Sequence, residues 1–379
     1  MIYLDNAATT WPKPPAVLKA LSDSLREFGA NPGRGGHSLS LRSARMVFAA
    51  RQQLASFFGS KQPHRWVYTS GATESANAAL FGLLNPGDHV LISQYEHNAV
   101  ARPLYQLSRQ GVEVTRTPLV KSGKLDVPSL TRSLRPTTRL LAISHASNVT
   151  GTVLPIDEIC DFCRANDILL LVDASQTAGL LDIDVSRGID LLLLPGHKSL
   201  YGPPGIGALY ASPAVELRPY RFGGTGSQSE SLEQPQVWPD RMESGTLNTP
   251  GIYALQAGIN FVQQVGKEAI YRHEMQLARQ LVAGLREIDG IQVYGWTGEV
   301  QVPVVACNLQ GVDGTEVALI LDQSYGIAVR SGLHCAPVAH KALGTLEQGV
   351  VRFSIGYYNT HDEILLTIEA MQEIAKELR

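Results

Sequence analysis

The sequence predicts an α/β protein: a large domain with a mostly parallel sheet flanked by helices, plus a smaller α+β domain. Three observations lead there. Short leucine-rich or β-branched runs alternate with helix-period stretches from about residue 15 to 255. The strand candidates are apolar almost throughout, as strands buried on both faces are. After "MESGTLNTPGIYALQAGINFVQQVG" the texture changes. The expected division is a large domain over 15–255 and a small one over 1–14 with 256–379.

In chain order, the strand "RWVYTS" feeds the helix "ATESANAALFGLL", and "DHVLIS" feeds "NAVARPLYQLSRQG". "RLLAISH" is a strand, "DEICDFCRAND" a helix, and "ILLLVDAS" and "DLLLLP" two further apolar strands. "YGPPGIGALY" shapes a turn and the strand after it, while "FGGTGSQSESLEQPQVWPDRMESGT" is a long polar loop of the kind that is usually functional or mobile. "VVACNL", "TEVALILDQ", "GIAVRS" and "VVRFSIG" make up the smaller unit. Its final helix opens with a Thr360-x-x-Glu363 capping box and carries the stripe Ile364, Ile368, Met371, Ile374, Leu378.

Composition narrows the function classes. At 379 residues, 44% hydrophobic and 18% charged, the chain is long enough for a large core and too apolar for disorder. A net charge of −3 without a basic run argues against nucleic acid and against a polybasic membrane anchor. No apolar run approaches the roughly 18–20 residues of a membrane span. The start "MIYLDNAATTWPKPP" lacks the basic and apolar regions of a secretory signal. Four cysteines are too few for a disulfide scaffold, so a reducing cytoplasm is the expected compartment.

Open α/β sheets bind ligands beyond the C-terminal ends of their strands. "WVYTS" runs there into "GATES", a Gly turn and helix start whose free N–H groups, with the Thr73 hydroxyl, suit a phosphate; the bland alternative is that Thr73 merely caps its helix. No G-x-G-x-x-G or P-loop lysine points to a nucleotide. The next strands end at Asp173, with Gln176 a turn further, and at His197-Lys198, about 25 residues on, a fitting crossover length. A structural salt bridge is the bland reading of that pair. Pyridoxal phosphate requires an anion cradle, an acid beside its pyridine nitrogen and a lysine for its aldehyde, and it gives Lys198 a use for an otherwise stranded charge. His97, after "HVLIS", is placed by sequence order to stack on the ring.

The blocks "YLDNAATT", "GATE", "EHNAV", "SNVTGTVLPI", "VDASQTAG", "GHKSLYGPPGIGALY", "ESGTLNT", "RSGLHCAP" and "RFSIGYYNT" span essentially the whole chain. In this order they resemble the cysteine desulfurases of the class V aminotransferase group, fold-type I pyridoxal-phosphate enzymes, and most of all the type II members with a short R-x-G-x-H-C-A cysteine loop. The resemblance implies Lys198 as the lysine bonded to the cofactor, Asp173 as the pyridinium partner and Gln176 on the ring hydroxyl. It implies His97 stacked on the ring, Ala72, Thr73 and His197 on the phosphate, and Asn148 beside ring and substrate carboxylate. It also implies a homodimer in which Thr246 reaches the neighbouring subunit's phosphate, Arg352 clamps the substrate carboxylate and Arg34 lines the entrance from the partner chain. Three positions depart from the family pattern. Pro195 stands where a serine or threonine precedes G-H-K, and it has neither a hydroxyl nor an N–H. Gly33 and Leu333 stand where relatives carry histidine.

By the same resemblance, Cys335 is the nucleophile that takes sulfur from L-cysteine as a persulfide and leaves L-alanine; the acceptor of that sulfur, a scaffold or carrier protein such as one of iron–sulfur cluster assembly, or a simple thiol, stays open. Its polar setting "SGLHCAP" suits an exposed thiolate rather than a core thiol. Cys160 and Cys163, one helical turn apart with no further ligands nearby, read as helix packing, and Cys307 as core. No metal is expected. A selenocysteine or cystine lyase, or an aminotransferase, uses Lys198, Asp173 and Arg352 equally well. A non-catalytic scaffold that kept the fold is the alternative of a different class, favoured only by Pro195 and Leu333.

Overall fold

The computed structural model describes residues 1–33, 35–118, 120–121, 124–297 and 300–378. Seven strands form the main sheet: β1 (Trp66–Thr69), β2 (His89–Ile92), β3 (Glu113–Arg116), β4 (Thr138–Ser144), β5 (Leu169–Asp173), β6 (Leu191–Pro195) and β7 (Gly207–Ala211). Their spatial order is β1-β7-β6-β5-β4-β2-β3. β3, β2, β4, β5 and β6 run parallel to their neighbours, while β7 is antiparallel to both β6 and β1. The central strands are buried along nearly their whole length, which is why they read as unbroken apolar runs. Separate apolar cores fill the two faces of the sheet. One is capped by α2 (Ser38–Phe57) and α5 (Ile156–Ala165), the other by α3 (Ala72–Leu83) and α4 (Asn98–Ser108); α1 (Pro15–Glu27) lies further out, against the helix Thr249–Val265.

The crossover from β5 to β6 differs from the usual βαβ unit. No α-helix joins Asp173 to Leu191, only turns and a short 3-10 segment, Val185–Arg187. The strands are nonetheless parallel neighbours, with Asp173 paired to Leu193.

A second sheet, fully antiparallel, has the order β8-β9-β11-β10, from β8 (Ile291–Tyr294), β9 (Val304–Leu309), β10 (Arg330–Gly332) and β11 (Val350–Ser354). "TEVALILDQ" belongs to the helix Gly314–Tyr325, and the closing helix His361–Glu377 begins with the capping box at Thr360. Ile364, Met371 and Ile374 are fully buried in the core behind this sheet. Cys307 lies in the same core, and Cys160 and Cys163 lie in the core of the main sheet. Burial pushes the Cys160 thiol up to about 11 and the Cys163 thiol higher still, so neither is a ready nucleophile.

The first residues stitch the two sheets together. Ile2–Tyr3 pairs parallel with Ile327–Ala328, and Asp5 then bridges to Ser354. The Ala7 N–H donates to Ser354 Oγ at 2.9 Å, and Gln176 Nε2 donates to the Ala7 carbonyl at 3.2 Å. Thr9 Oγ1 and Lys13 Nζ reach the His197 carbonyl at 3.1 and 2.6 Å, and Thr10 Oγ1 reaches the Lys198 carbonyl at 3.0 Å.

Candidate active site

A cavity of about 330 Å³ opens at the C-terminal ends of the parallel strands. Its wall brings together Ala72, Thr73, His97, Asn148, Asp173, Gln176, His197, Lys198 and Arg352. Two expected residues lie elsewhere. Thr246 is exposed on the loop before the helix Thr249–Val265, where its Oγ1 accepts from Asn31 Nδ2 at 3.3 Å, and it takes no part in this wall. Cys335 is exposed beside the wall residue His334 and is likewise absent from the cavity lining. Arg34 lies outside the described residues.

The cradle forms where β1 turns into α3. Gly71, at φ +154° and ψ 179°, occupies the N-cap of this 12-residue helix, and no side chain caps it. Thr73 therefore does not cap, and the helix N-terminus opens toward the cavity. Such an end offers N–H donors and the positive pole of the macrodipole to an anion. Glu74 Oε2 takes the Ser70 N–H, and its Oε1 takes the Tyr220 hydroxyl at 2.6 Å, which steadies the loop from the side. Pro195 is also in the wall and supplies no donor.

Asp173 ends β5, buried, and its Oδ1 accepts the Ser175 N–H at 2.9 Å as well as the Ser175 hydroxyl. Lys198 follows β6 and is half-buried. Burial brings its amine down to about 8, with Arg352 and Arg330 acting in the same direction and Asp173 opposing. Two histidines are held neutral. Burial lowers His197 to about 4, helped by Lys198 and Lys13. Burial also lowers His97 to about 4, against the pull of Asp173. His97 caps α4, its Nδ1 accepting the Ala99 N–H at 3.0 Å, so the neutral ring carries its proton on Nε2.

Arg352 projects from β11 and is 1% exposed. Its terminal nitrogens donate to Asp5 Oδ1 at 2.8 Å and to the Asn148 carbonyl at 2.9 Å. Burial lowers its pKa and Asp5 counteracts this. The Asn148 amide donates to the His334 carbonyl at 2.8 Å.

Among the wall residues to which sequence reasoning gave no role are Arg330, Ser144 and His334. Arg330 stands opposite Arg352 in the β10–β11 ladder, so the two share one face of the sheet. The signal was present in "VRSG" and "VRFS", but only the strand register aligns them. Ser144 lines the wall and donates its N–H and hydroxyl to the buried Glu96 at 2.9 and 3.0 Å. Glu96, adjacent in sequence to His97, is pushed up to about 7 by burial. His334 contributes a buried ring whose Nε2 meets the Val350 carbonyl at 3.2 Å.

The residues fit a phosphorylated aromatic aldehyde. His197 Nδ1 and Asn148 Oδ1 are buried polar atoms without a protein partner, and both belong to wall residues. A donor-rich helix start, a buried carboxylate and a lysine with a lowered pKa surround one space, which is the donor set that pyridoxal phosphate requires. Among the described residues, no cluster of three or more His, Cys, Asp or Glu side chains is disposed to hold a metal, and no helix is long and apolar enough to cross a membrane.

Residues 2–366 match the family described as aminotransferase class-V. A probable cysteine desulfurase of Methanothermobacter thermautotrophicus is 38% identical, the alignment covering 99% of this chain and 94% of that protein. A cysteine desulfurase of Yersinia pestis is 35% identical, over 100% of this chain and 94% of its own. Among solved structures, the apo cysteine desulfurase from Thermococcus onnurineus NA1 superposes with a TM-score of 0.92 at 31% identity, covering 99% of this chain and 95% of that one. The cysteine desulfurase CsdA from Escherichia coli, in its S-sulfonic acid form, follows at 0.88 and 29%, over 99% and 94%. With matches of this extent around a wall carrying Lys198, Asp173 and Arg352, the chain belongs to the cysteine desulfurases of the class-V aminotransferase family.

Proposed function

We propose that the protein is a pyridoxal-phosphate-dependent enzyme that converts L-cysteine to L-alanine and collects the sulfur as a persulfide on Cys335. The observation that carries this is the convergence of Lys198 and Asp173, from neighbouring strand ends, on one cavity that Arg352 also lines. When bound, the cofactor supplies an electron sink for charge developing at the substrate's α-carbon. Thr73, the Ala72 N–H and His197 would hold its phosphate, Asp173 its ring nitrogen and Gln176 its ring hydroxyl, with His97 beside the ring.

Arg352 receives the substrate carboxylate through its planar fork, beside Asn148. The Lys198 amine, brought near neutrality by burial, takes and returns the proton at the substrate's α-carbon. Neutral His97 carries a proton on Nε2 close to the reacting centre. Cys335 Sγ accepts the sulfur: its thiol and L-cysteine become a Cys335 persulfide and L-alanine, with no net oxidant required. Exposure of Cys335 outside the cavity wall supports hand-over of that sulfur to an acceptor protein.

The reading includes a homodimer in which Thr246, exposed and away from its own cavity, completes the neighbour's phosphate site, with Arg34 at the shared entrance. It also includes the division into domains over 15–255 and over 1–14 with 256–379, which the two separate sheets support. Cytoplasmic residence and a place in iron–sulfur cluster assembly belong to the same proposal. Mass spectrometry of the holoenzyme after brief exposure to L-cysteine tests it: one added sulfur at Cys335, absent from Cys335→Ala, is the expected result. Stoichiometric alanine production by Cys335→Ala with a reductant present would instead point to a lyase without a protein persulfide.

A further inference from the structure

Arg330 and Arg352 face each other directly across the antiparallel β10–β11 pair. Like charges in that position destabilise a sheet, and a guanidinium buried as deeply as that of Arg352 needs a counter-ion. The chain supplies one from its far end. Asp5 is fixed relative to β11 by its backbone bridge to Ser354, by the Asn6 N–H on the Ser354 carbonyl at 3.2 Å and by the Ala7 N–H on Ser354 Oγ at 2.9 Å. From there its carboxylate takes one terminal nitrogen of Arg352, while the Asn148 carbonyl takes the other. The Nε–H of Arg352 is left buried without a protein partner.

We infer that Asp5 is a positioning residue for substrate binding: together with the Asn148 carbonyl it fixes the plane of the Arg352 guanidinium, so that the remaining N–H donors are held ready for the substrate carboxylate. The role rests on the assignment of that carboxylate to Arg352. Two effects of Asp5 oppose each other, since its charge competes with the ligand for Arg352 while its fixed oxygen orients the fork. Bidentate recognition depends on the orientation of both partners, and a hydrogen bond to a charged group is among the stronger contacts that can hold that orientation. Orientation therefore wins, and the position of the Asp5 oxygen matters more than its charge.

The test compares L-alanine with ethylamine, the same amine without the carboxylate, by the absorbance change each causes on titration into the holoenzyme. In Asp5→Ala the dissociation constant for alanine is expected to rise about tenfold or more, with that for ethylamine unchanged. Asp5→Glu, which keeps the charge but moves it by one methylene, is expected to weaken alanine in the same selective way. Asp5→Asn, which keeps an oxygen at the same place, is expected to stay close to wild type. Should Asp5→Ala not fold, the Glu and Asn variants carry the same comparison. Alanine binding that is unchanged or tighter in Asp5→Ala and Asp5→Glu overturns the inference, as does a loss shared equally by ethylamine. A wild-type holoenzyme that binds alanine no better than ethylamine overturns the assignment of the carboxylate to Arg352 itself.

Discussion

The backbone N–H of Asn98 donates to the carbonyl of Cys335 at 2.7 Å, tying the candidate nucleophile's loop to the first turn of the helix that His97 caps. The loop needs such ties. His334 and Cys335 are consecutive non-glycine residues at φ +48° and +56°, a conformation that costs on the order of 1–3 kcal/mol per residue. The Asn148 amide on the His334 carbonyl and the Ala336 N–H on the Leu333 carbonyl, at 2.8 Å each, restrain it too, as does the His334 ring on the Val350 carbonyl. Asn98→Pro deletes the first tie selectively. Proline is accepted at the first helical position, and His97, at φ −72° and ψ 154°, already has the extended backbone that a following proline demands. The variant is expected to fold with a melting temperature only a few degrees lower, and to form the Cys335 persulfide severalfold more slowly in a single turnover. An unchanged rate would show that the tie does not matter to sulfur transfer.

Lys198 gives a pH signature in the absence of cofactor. Its folded pKa of about 8 lies below the ordinary 10.5, so between those values the unfolded chain binds more protons than the folded one. Stability of the cofactor-free protein should therefore rise with pH across that window, and the burden of the buried charge should be complete below about pH 8. Lys198→Met is expected to melt higher than wild type at pH 7 and to lose the rise, as thermal unfolding at several pH values will measure. The wild-type rate of pyridoxal phosphate attachment should climb through about pH 8 and then level off, since the neutral amine is the reacting form.

Glu243, at the start of "ESGTLNT", anchors the segment that carries Thr246. Its carboxylate pairs with both terminal nitrogens of Arg51 at 2.7 and 2.8 Å and accepts the Tyr68 N–H at 2.6 Å, all buried. Removing one member of a buried pair strands the other, so Glu243→Ala should lose about 3–5 kcal/mol in urea unfolding. A double replacement, Arg51→Met with Glu243→Leu, should recover part of that loss. If the single variant loses less than about 1 kcal/mol, the pair is not the anchor it looks to be.

Gly207 holds the cradle in place through what it lacks. A Cβ there would lie 2.6 Å from Gly71 Cα and 2.7 Å from the Leu194 carbonyl oxygen. Both are backbone atoms with little freedom to yield. Gly207→Ala should cost about 1–3 kcal/mol by overpacking and displace the Gly71 loop. Equilibrium dialysis should then find pyridoxal phosphate retained severalfold less tightly, and retention equal to wild type would contradict the close fit.

Much of this architecture is legible in the chain because burial on both faces leaves unbroken apolar strands. Leu191–Leu194 and Leu169–Val172 announce themselves, and the ionisable residues that end them mark the cavity. The helix-free crossover between Asp173 and Leu191 was not legible, since its length alone would accommodate a helix. Nor was the role of Thr73: a threonine at a helix start suggests a cap, and only the geometry of Gly71 excludes it. Asp5 and Arg330 are invisible to local reading for a different reason. Each acquires its place through strand register with residues far along the chain, Asp5 with Arg352 across 347 positions and Arg330 through the ladder to the same residue.

That distance has a consequence for biosynthesis. The segment from Asp5 to Lys13 leaves the ribosome well ahead of its partners Ser354 and Asn359, which lie some 350 residues further along the chain. At about 5–20 residues per second, that segment waits many seconds for the strand against which it closes. The main sheet can assemble in the meantime, but Arg352 and its counter-ion Asp5 meet only once β11 has been made. The sheet that carries Lys198 can thus be complete before the Asp5–Arg352 pair beside it exists.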